Sequence, residues 1–124
     1  MTHFIKICGI TSKEDALMVQ EEGADALGFI MHEESHRFVE IEKVVDIIGG
    51  LNGDIDIFLV FVNKKEEFIE NCLKKIPHAI PQFHGDEDPE FCNKFNKDFV
   101  KAIRVNSNTD FENINYSFGT AKML

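Results

Sequence analysis

The sequence predicts a parallel (β/α) barrel of the TIM type, here a partial barrel with about five βα units and the start of a sixth strand. Strand-like apolar segments alternate with helix patterns along the whole chain, and each unit takes roughly 20 to 25 residues, as in compact barrels. Repeated right-handed βα units form a parallel sheet, whether open or closed. The 124 residues suffice for one core and not for two. Because the sequence contains no linker or low-complexity segment, we expect one partial barrel domain over residues 1–124.

The first βα unit opens with a strand over roughly residues 3–8, where β-branched and aromatic side chains are frequent. A helix over about 12–22 follows, because Thr11 and Glu14 are spaced as a capping box. The second strand, residues 25–30, is apolar almost throughout. Such a run is typical of a parallel strand that is covered on both faces.

The second and third helices are predicted from apolar side chains that recur with helical spacing. In the second helix these are Ile41, Val44, Val45, Ile48 and Leu51. The third strand covers residues 57–62, and the helix after it stops at Pro77. The apolar stripe of that third helix consists of Ile69, Cys72, Leu73 and Ile76.

The fourth strand covers about residues 78–83, and Asp88-Pro89 begins the next helix as an N-cap followed by proline at the first helical position. The fifth strand covers residues 99–105. A short helix is expected after Thr109, because Thr109 and Glu112 are spaced as a capping box, and residues 121–124 are predicted to begin a sixth strand. The pattern therefore continues up to the last residue of the chain.

Bulk composition narrows the classes of function. The formal net charge of −9 disfavours a nucleic-acid partner, and 44% hydrophobic with 28% charged residues is an ordinary globular balance. No apolar run is long enough for a membrane helix, and no signal peptide is evident, so we expect no membrane association. Three widely spaced cysteines indicate neither a disulfide framework nor a metal site. We therefore expect a cytoplasmic protein without metal or cofactor.

Cys8 is the first candidate for chemistry, since it is the last strand residue before a strand-to-helix turn. Alternation places Lys6 on the same inward face, and the ammonium group and the following helix N-terminus would both favour the thiolate. A buried, inert cysteine is an equally open interpretation. Lys6 itself needs an anionic partner, and a structural ion pair is more plausible for it than direct catalysis.

Three further residues would add positive charge at the same rim. Arg37 lies in the loop after the second strand, and its planar guanidinium suits a carboxylate, although a loop arginine is often merely solvated. His84 ends the fourth strand and faces inward with Gln82, unless it caps the next helix. Arg104 lies at the end of the fifth strand. Together with Lys6 these side chains predict a basic mouth for an anionic small-molecule substrate.

Other reactive side chains have more ordinary interpretations. Asp86 and Glu87 are predicted to be first-turn carboxylates of the fourth helix. Cys72 and Cys92 lie on helix stripes and are predicted to be core residues.

Six ordered motifs, spread over essentially the whole chain, resemble phosphoribosylanthranilate isomerase, a (β/α)₈-barrel family of tryptophan biosynthesis. In this sequence they are Lys6-Ile7-Cys8-Gly9-Ile10-Thr11, Gly23-Ala24-Asp25-Ala26-Leu27-Gly28-Phe29-Ile30, Ser35-x-Arg37-Phe38-Val39, Val60-Phe61-Val62-Asn63, Gln82-Phe83-His84-Gly85-Asp86-Glu87 and Lys101-Ala102-Ile103-Arg104-Val105.

The resemblance implies an Amadori rearrangement of N-(5-phosphoribosyl)anthranilate. It also implies that Cys8 is the general base and that Arg37 binds the anthranilate carboxylate. The family's general acid, an aspartate at the end of strand six, and its glycine-rich phosphate loops have no counterpart in these residues. Pro81 also departs from the aliphatic residue usual in strand four, where proline would remove a ladder hydrogen bond.

Two hypotheses follow. The chain is part of an isomerase, inactive alone, which self-associates or is complemented by a C-terminal half. Alternatively, it is a non-catalytic half-barrel that binds an anionic ligand or a partner chain. A strand-like segment at residues 121–124 favours the first hypothesis.

Overall fold

The computed structural model describes residues 3–110, 112 and 122–123 and contains a parallel sheet flanked by helices. The strands are β1 (Lys6–Cys8), β2 (Ala26–Ile30), β3 (Asp56–Phe61), β4 (Ile80–Phe83), β5 (Val100–Lys101) and β6 (Lys122–Met123). The helices are α1 (Lys13–Glu21), α2 (Ile41–Gly49), α3 (Glu66–Lys75) and α4 (Pro89–Asn93). Within the described residues the strands pair in the order β1-β2-β3-β4-β5-β6. The predicted partial (β/α) barrel is confirmed.

Most strands are shorter than the sequence predicts, most clearly β5 with two residues, whereas β3 keeps its predicted length. The predicted sixth strand is present and pairs with β5 through Val100–Lys122 and Lys101–Met123. The short helix expected after Thr109 lies largely outside the described residues. Element order was therefore predictable, whereas strand length depends on how far two neighbours remain side by side.

Helix α1 is capped by Ser12 and not by Thr11, which corrects the predicted capping box. Ser12 is the last extended residue, with φ −141° and ψ 157°, and its side chain accepts from the Asp15 N–H at 3.2 Å. The N-cap is the residue at which the chain leaves the extended conformation, and here that residue is Ser12. For α4 the prediction holds, because Asp88 Oδ1 accepts from the Phe91 N–H at 2.8 Å.

Two apolar layers cover the sheet. The larger one lies between sheet and helices, and its biggest fully buried members include Leu27, Phe29, Leu59, Phe61 and Phe83. Cys72 and Cys92 belong to it, as predicted, and burial raises their pKa values to about 11 and about 12. The smaller layer occupies the inner face and consists of Ala26, Phe58, Val100 and the partly buried Ile80.

Pro81 is accommodated because the pairing of β4 with β3 begins at an earlier residue than its pairing with β5. It is aligned with Leu59 of β3, whereas pairing with β5 begins one residue later, at Gln82. The His84 N–H donates to Phe61 on the β3 side at 2.8 Å. Successive N–H groups of a strand point to opposite neighbours, so an N–H at position 81 would point toward β5. Pairing with β5 begins only at Gln82. The proline therefore removes no donor from a paired position.

Among the described residues no helix is long and apolar enough to cross a membrane. The cytoplasmic location stays a prediction.

Candidate active site

The turn after β1 is built around two glycines that let other groups approach closely. Gly9 has φ +93°, and the N–H groups of Gly9 and Ile10 both donate to the Gly28 carbonyl, at 2.9 and 3.1 Å. A Cβ atom at Gly28 would lie 2.7 Å from Cys8 Sγ. The half-buried thiol thus rests on the bare backbone of β2, at the carboxyl end of the sheet.

Arg37 is docked on this same turn. Its Nη1 donates to the Cys8 carbonyl at 3.1 Å, and a Cβ at Gly9 would lie 2.7 Å from Arg37 Cδ and from Cζ. The loop that carries it is shaped by local bonds, including the Arg37 N–H to Ser35 Oγ at 3.2 Å. Arg37 nevertheless remains exposed. The structure therefore joins Cys8 and Arg37, as the sequence predicts, and the exposed arginine has further N–H donors besides the one bonded to Cys8.

Lys6 lies two residues before Cys8 on the inner face, but its partners are not the expected anion. In the described part of the chain, Lys6 Nζ donates to Gln82 Oε1 of β4 and lies 4.7 Å from the centroid of the Phe58 ring. Burial lowers the pKa of the Lys6 ammonium, and neighbouring Cys8 acts in the opposite direction. A neutral amide and an aromatic face thus replace the predicted ion pair.

His84 and Arg104 line a separate cavity of about 640 Å³ at the carboxyl ends of β3, β4 and β5. Desolvation lowers the pKa of His84. The positive charges of Lys6, Lys101 and Arg104 also lower this pKa, whereas the Glu87 carboxylate raises it. Since an unperturbed imidazole titrates near pH 6.5, His84 is neutral at pH 7.

The residues of the predicted basic mouth fall into two groups, and His84, which the sequence predicts to add positive charge there, is neutral. Cys8 and Arg37 occupy the end of β1, and His84 with Arg104 borders the cavity across the sheet. Lys6 connects them, because it lies beside Cys8 and holds Gln82, two residues before His84. The arrangement combines a thiol, a planar cation and a neutral imidazole along one rim.

Glu87 corrects the sequence-based interpretation. Helix α4 starts at Pro89 with Asp88 as its N-cap, so Glu87 precedes the helix and is not part of its first turn. Its carboxylate is buried and forms an ion pair with Lys101 Nζ at 3.1 Å. Asp86 also lies before the helix, and its N–H donates to Asn63 Oδ1 at 2.7 Å.

Lys101 was missed as a site-forming residue. A lysine in the otherwise apolar run Phe99-Val100-Lys101-Ala102-Ile103 is the signal that indicates a buried partner, since a lone buried charge is costly. No comparable signal marks Asn63, which has φ +49°. In the described ranges no group of three or more His, Cys, Asp or Glu side chains is arranged to hold a metal ion.

Comparison with known proteins assigns the chain to one group. The family model for N-(5'-phosphoribosyl)anthranilate isomerase matches residues 5–122. The N-(5'-phosphoribosyl)anthranilate isomerase of Neisseria gonorrhoeae strain FA 1090 is 41% identical over 119 residues, which are 96% of this chain and 57% of the relative. The chain therefore spans little more than half the length of this relative.

Solved structures agree in fold. The crystal structure of phosphoribosyl anthranilate isomerase from Thermotoga maritima has a TM-score of 0.79 at 36% identity, covering 82% of this chain and 51% of that one. A phosphoribosyl anthranilate isomerase in complex with reduced 1-(o-carboxyphenylamino)-1-deoxyribulose 5-phosphate has a TM-score of 0.80 at 36% identity. The match covers 85% of this chain and 55% of that one.

A matched pair of glycines tests how Arg37 is docked. Gly9 and Gly23 have φ values of +93° and +94°, but only a Cβ atom added at Gly9 would meet Arg37, since nothing lies within 4 Å of one at Gly23. Gly23→Ala should therefore cost about 1 kcal/mol of unfolding free energy from backbone strain alone. Gly9→Ala should cost about 1 kcal/mol more, because Arg37 must leave the Cys8 carbonyl. Urea unfolding measures both.

The interaction is isolated by adding Arg37→Ala to each glycine variant. The arginine substitution should add its full cost in the Gly23→Ala background and almost none in the Gly9→Ala background. Equal added costs in both backgrounds would show that Arg37 does not depend on Gly9.

Proposed function

The chain belongs to the phosphoribosylanthranilate isomerase family, and we propose that it supplies the base-bearing side of an active site for the Amadori rearrangement of N-(5-phosphoribosyl)anthranilate in tryptophan biosynthesis. The observation that carries the proposal is the hydrogen bond from Arg37 Nη1 to the Cys8 carbonyl at 3.1 Å. It places a cation suited to a carboxylate next to the thiol at the carboxyl end of β1. The solved relative's ligand contains a carboxyphenyl group of the kind that Arg37 would hold.

In this proposal Cys8 is the general base. Opening of the ribose ring requires a proton on the ring oxygen, which leaves an iminium at C1. Removal of the C2 proton then gives the enolamine, and its tautomerisation gives the ketone at C2 and the amine at C1. Cys8 takes the C2 proton, while a second group supplies the proton to the ring oxygen, because one group on one side of the sugar cannot serve both atoms. The family resemblance implies that this acid is an aspartate at the end of the sixth strand.

The remaining rim residues are proposed to bind and orient the substrate. Arg37 forms a fork with the anthranilate carboxylate, and its docking on the Cys8–Gly9 backbone fixes the distance from carboxylate to base. His84 and Arg104 contact the substrate from the cavity side. Lys6 supplies positive charge beside Cys8 from a site already fixed by Gln82 and Phe58.

We also propose that β1 is completed by a further strand, from a complementing C-terminal half or from another copy. Among the described strands β1 ends the sheet order, so one of its edges has no paired neighbour there. Ile5 and Ile7 are 50% and 40% exposed, and Met18 beside them is 55% exposed. An edge with exposed apolar side chains favours pairing with another strand.

The Cys8→Ala variant tests the base. In an enzyme that contains this chain, kcat for phosphoribosylanthranilate should fall by roughly 10²–10⁴ while KM stays within a few-fold, because a proton acceptor is lost and binding groups are kept. Steady-state kinetics measure both constants. Cys92→Ala, which removes a thiol from the helix-side core, should leave kcat of the folded protein unchanged.

Undiminished kcat in Cys8→Ala would exclude Cys8 as the base. The non-catalytic half-barrel is distinguished by the same series, since a binder without chemistry shows no turnover in any variant and retains ligand affinity without Cys8.

Arg37→Ala tests the carboxylate contact. Affinity for a product analogue should weaken by about 2–3 kcal/mol, the scale of a charge-assisted hydrogen bond. Isothermal titration calorimetry measures this, with Lys74→Ala on the exposed surface of α3 as a charge-matched control. An analogue without the carboxylate should bind wild type and Arg37→Ala equally. If the variant still discriminates between the two analogues, another cation holds that group.

Sedimentation velocity tests the β1 edge. The chain should associate with increasing concentration, and Ile7→Lys should weaken this, because a charge on the apolar flank opposes its burial. Val105→Lys is the matched control, since Val105 is also exposed, at 55%, but lies beyond β5. A monomer at every concentration, or equal effects of both lysines, would contradict the assignment to β1.

A further inference from the structure

The buried ion pair between Glu87 and Lys101 lies next to the cavity and is not used by the chemistry above. The two side chains are 3% and 7% exposed, and their charged atoms lie 3.1 Å apart. Burial of two charges is costly unless geometry and additional hydrogen bonds compensate for it. A buried ion pair can often be replaced by apolar side chains of similar volume without loss of stability. Here such a replacement would also remove hydrogen bonds to the surrounding backbone.

Those contacts join the ends of three strands. Glu87 Oε2 accepts from the Asn63 N–H at 2.9 Å, just beyond β3, and Glu87 Oε1 accepts from the Gly85 N–H at 2.8 Å, just beyond β4. Lys101 of β5 donates to the Gly85 carbonyl at 2.7 Å. Gly85 is therefore held through both its N–H and its carbonyl by the two members of the pair.

Close packing leaves little freedom at these loop ends. A Cβ at Gly85 would lie 2.7 Å from Asn63 Cγ and 2.9 Å from Asn63 N. Asn63 Oδ1 in turn accepts from the Asp86 N–H at 2.7 Å. His84 directly precedes Gly85 and is bonded to β3 through its own N–H, so its backbone is fixed on both sides.

The pair also shapes the charge that His84 experiences. Glu87 raises the pKa of the imidazole and Lys101 lowers it, so the two act in opposite directions. The other charged groups that act on it are Lys6 from β1 and Arg104 from the segment after β5, both of which lower that pKa. Asp86 borders the same cavity.

We propose that Glu87 and Lys101 are positioning residues for His84: together they hold the loop ends of β3 and β4 in place, so that the imidazole is presented to the cavity at a fixed position, with a carboxylate and an ammonium acting on it in opposite directions. The inference rests on the proposed function for the part played by His84 as a substrate contact. It extends that function by assigning a role to two residues that do not touch the reacting atoms.

The test is an NMR titration of the histidine side chains in the full chain, with the His84 signals assigned through His84→Gln. Glu87→Gln should lower the His84 titration midpoint, because a negative charge is removed, and Lys101→Met should raise it, because a positive charge is removed. Lys101→Arg keeps the charge and should restore the wild-type midpoint. Lys94→Met is the surface control, since Lys94 pairs with Glu66 away from the cavity, and it should leave the midpoint unchanged.

Backbone amide exchange supplies the second measurement. In Glu87→Gln the amides of Asn63 and Gly85 should exchange roughly tenfold faster, since the amide side chain offers one oxygen where the carboxylate offers two. Shifts of the His84 midpoint in the same direction in both single variants, or wild-type exchange at Asn63 and Gly85, would overturn the proposal.

The double variant Glu87→Gln/Lys101→Met protects the test against misfolding of the single variants, because it leaves no unpaired buried charge. In it the His84 titration midpoint should lie between those of the two single variants, while Asn63 and Gly85 still exchange faster than in wild type. Full protection of both amides would overturn the proposal. Neither readout depends on turnover, so a failure here is distinct from failure of Cys8 as the base.

Discussion

The contact between Lys6 and Gln82 is the constraint on which the inner face of this molecule depends. The two residues belong to β1 and β4, three interstrand spacings apart, or about 14 Å in a flat sheet. Their side chains meet because the sheet curls and because Ala26 and Gly28 of β2 present almost no bulk in between. Phe58 lies beneath the ammonium. The Lys6 ammonium thereby lies on the concave inner face of the sheet, where apolar side chains would pack more easily.

That placement organises the rim above it. With the inner face occupied by Lys6 and Gln82, the thiol of Cys8 and the imidazole of His84 follow two residues later on their respective strands, at the same edge of the sheet. Arg37 approaches from outside and lies on the turn that Gly9 makes possible. The protein carries a net charge of −9, so the local gathering of cations is a property of the strand ends and not of the chain as a whole.

Sequence reasoning was reliable where the physics is local. Periodicity and cap residues predicted the order of strands and helices, and the rule that parallel strands end at a common edge predicted that Cys8 and Arg37 come together. It failed where a partner is distant in sequence. Glu87 precedes Asp88-Pro89 and so resembled a first-turn carboxylate, whereas its partner, Lys101, lies on the next strand. The same limit applies to Lys6, whose neutral partner is 76 positions away.

The three cysteines differ in a way that matters for chemical biology. Cys72 and Cys92 are sealed in the core, and their thiols stay protonated far above neutral pH. Cys8 lies at the open edge, with the Arg37 guanidinium anchored to its own carbonyl. With Arg37 as the proposed carboxylate contact, an electrophile attached to a benzoate would be directed to Cys8 Sγ, which makes Cys8 the cysteine to target with a covalent inhibitor.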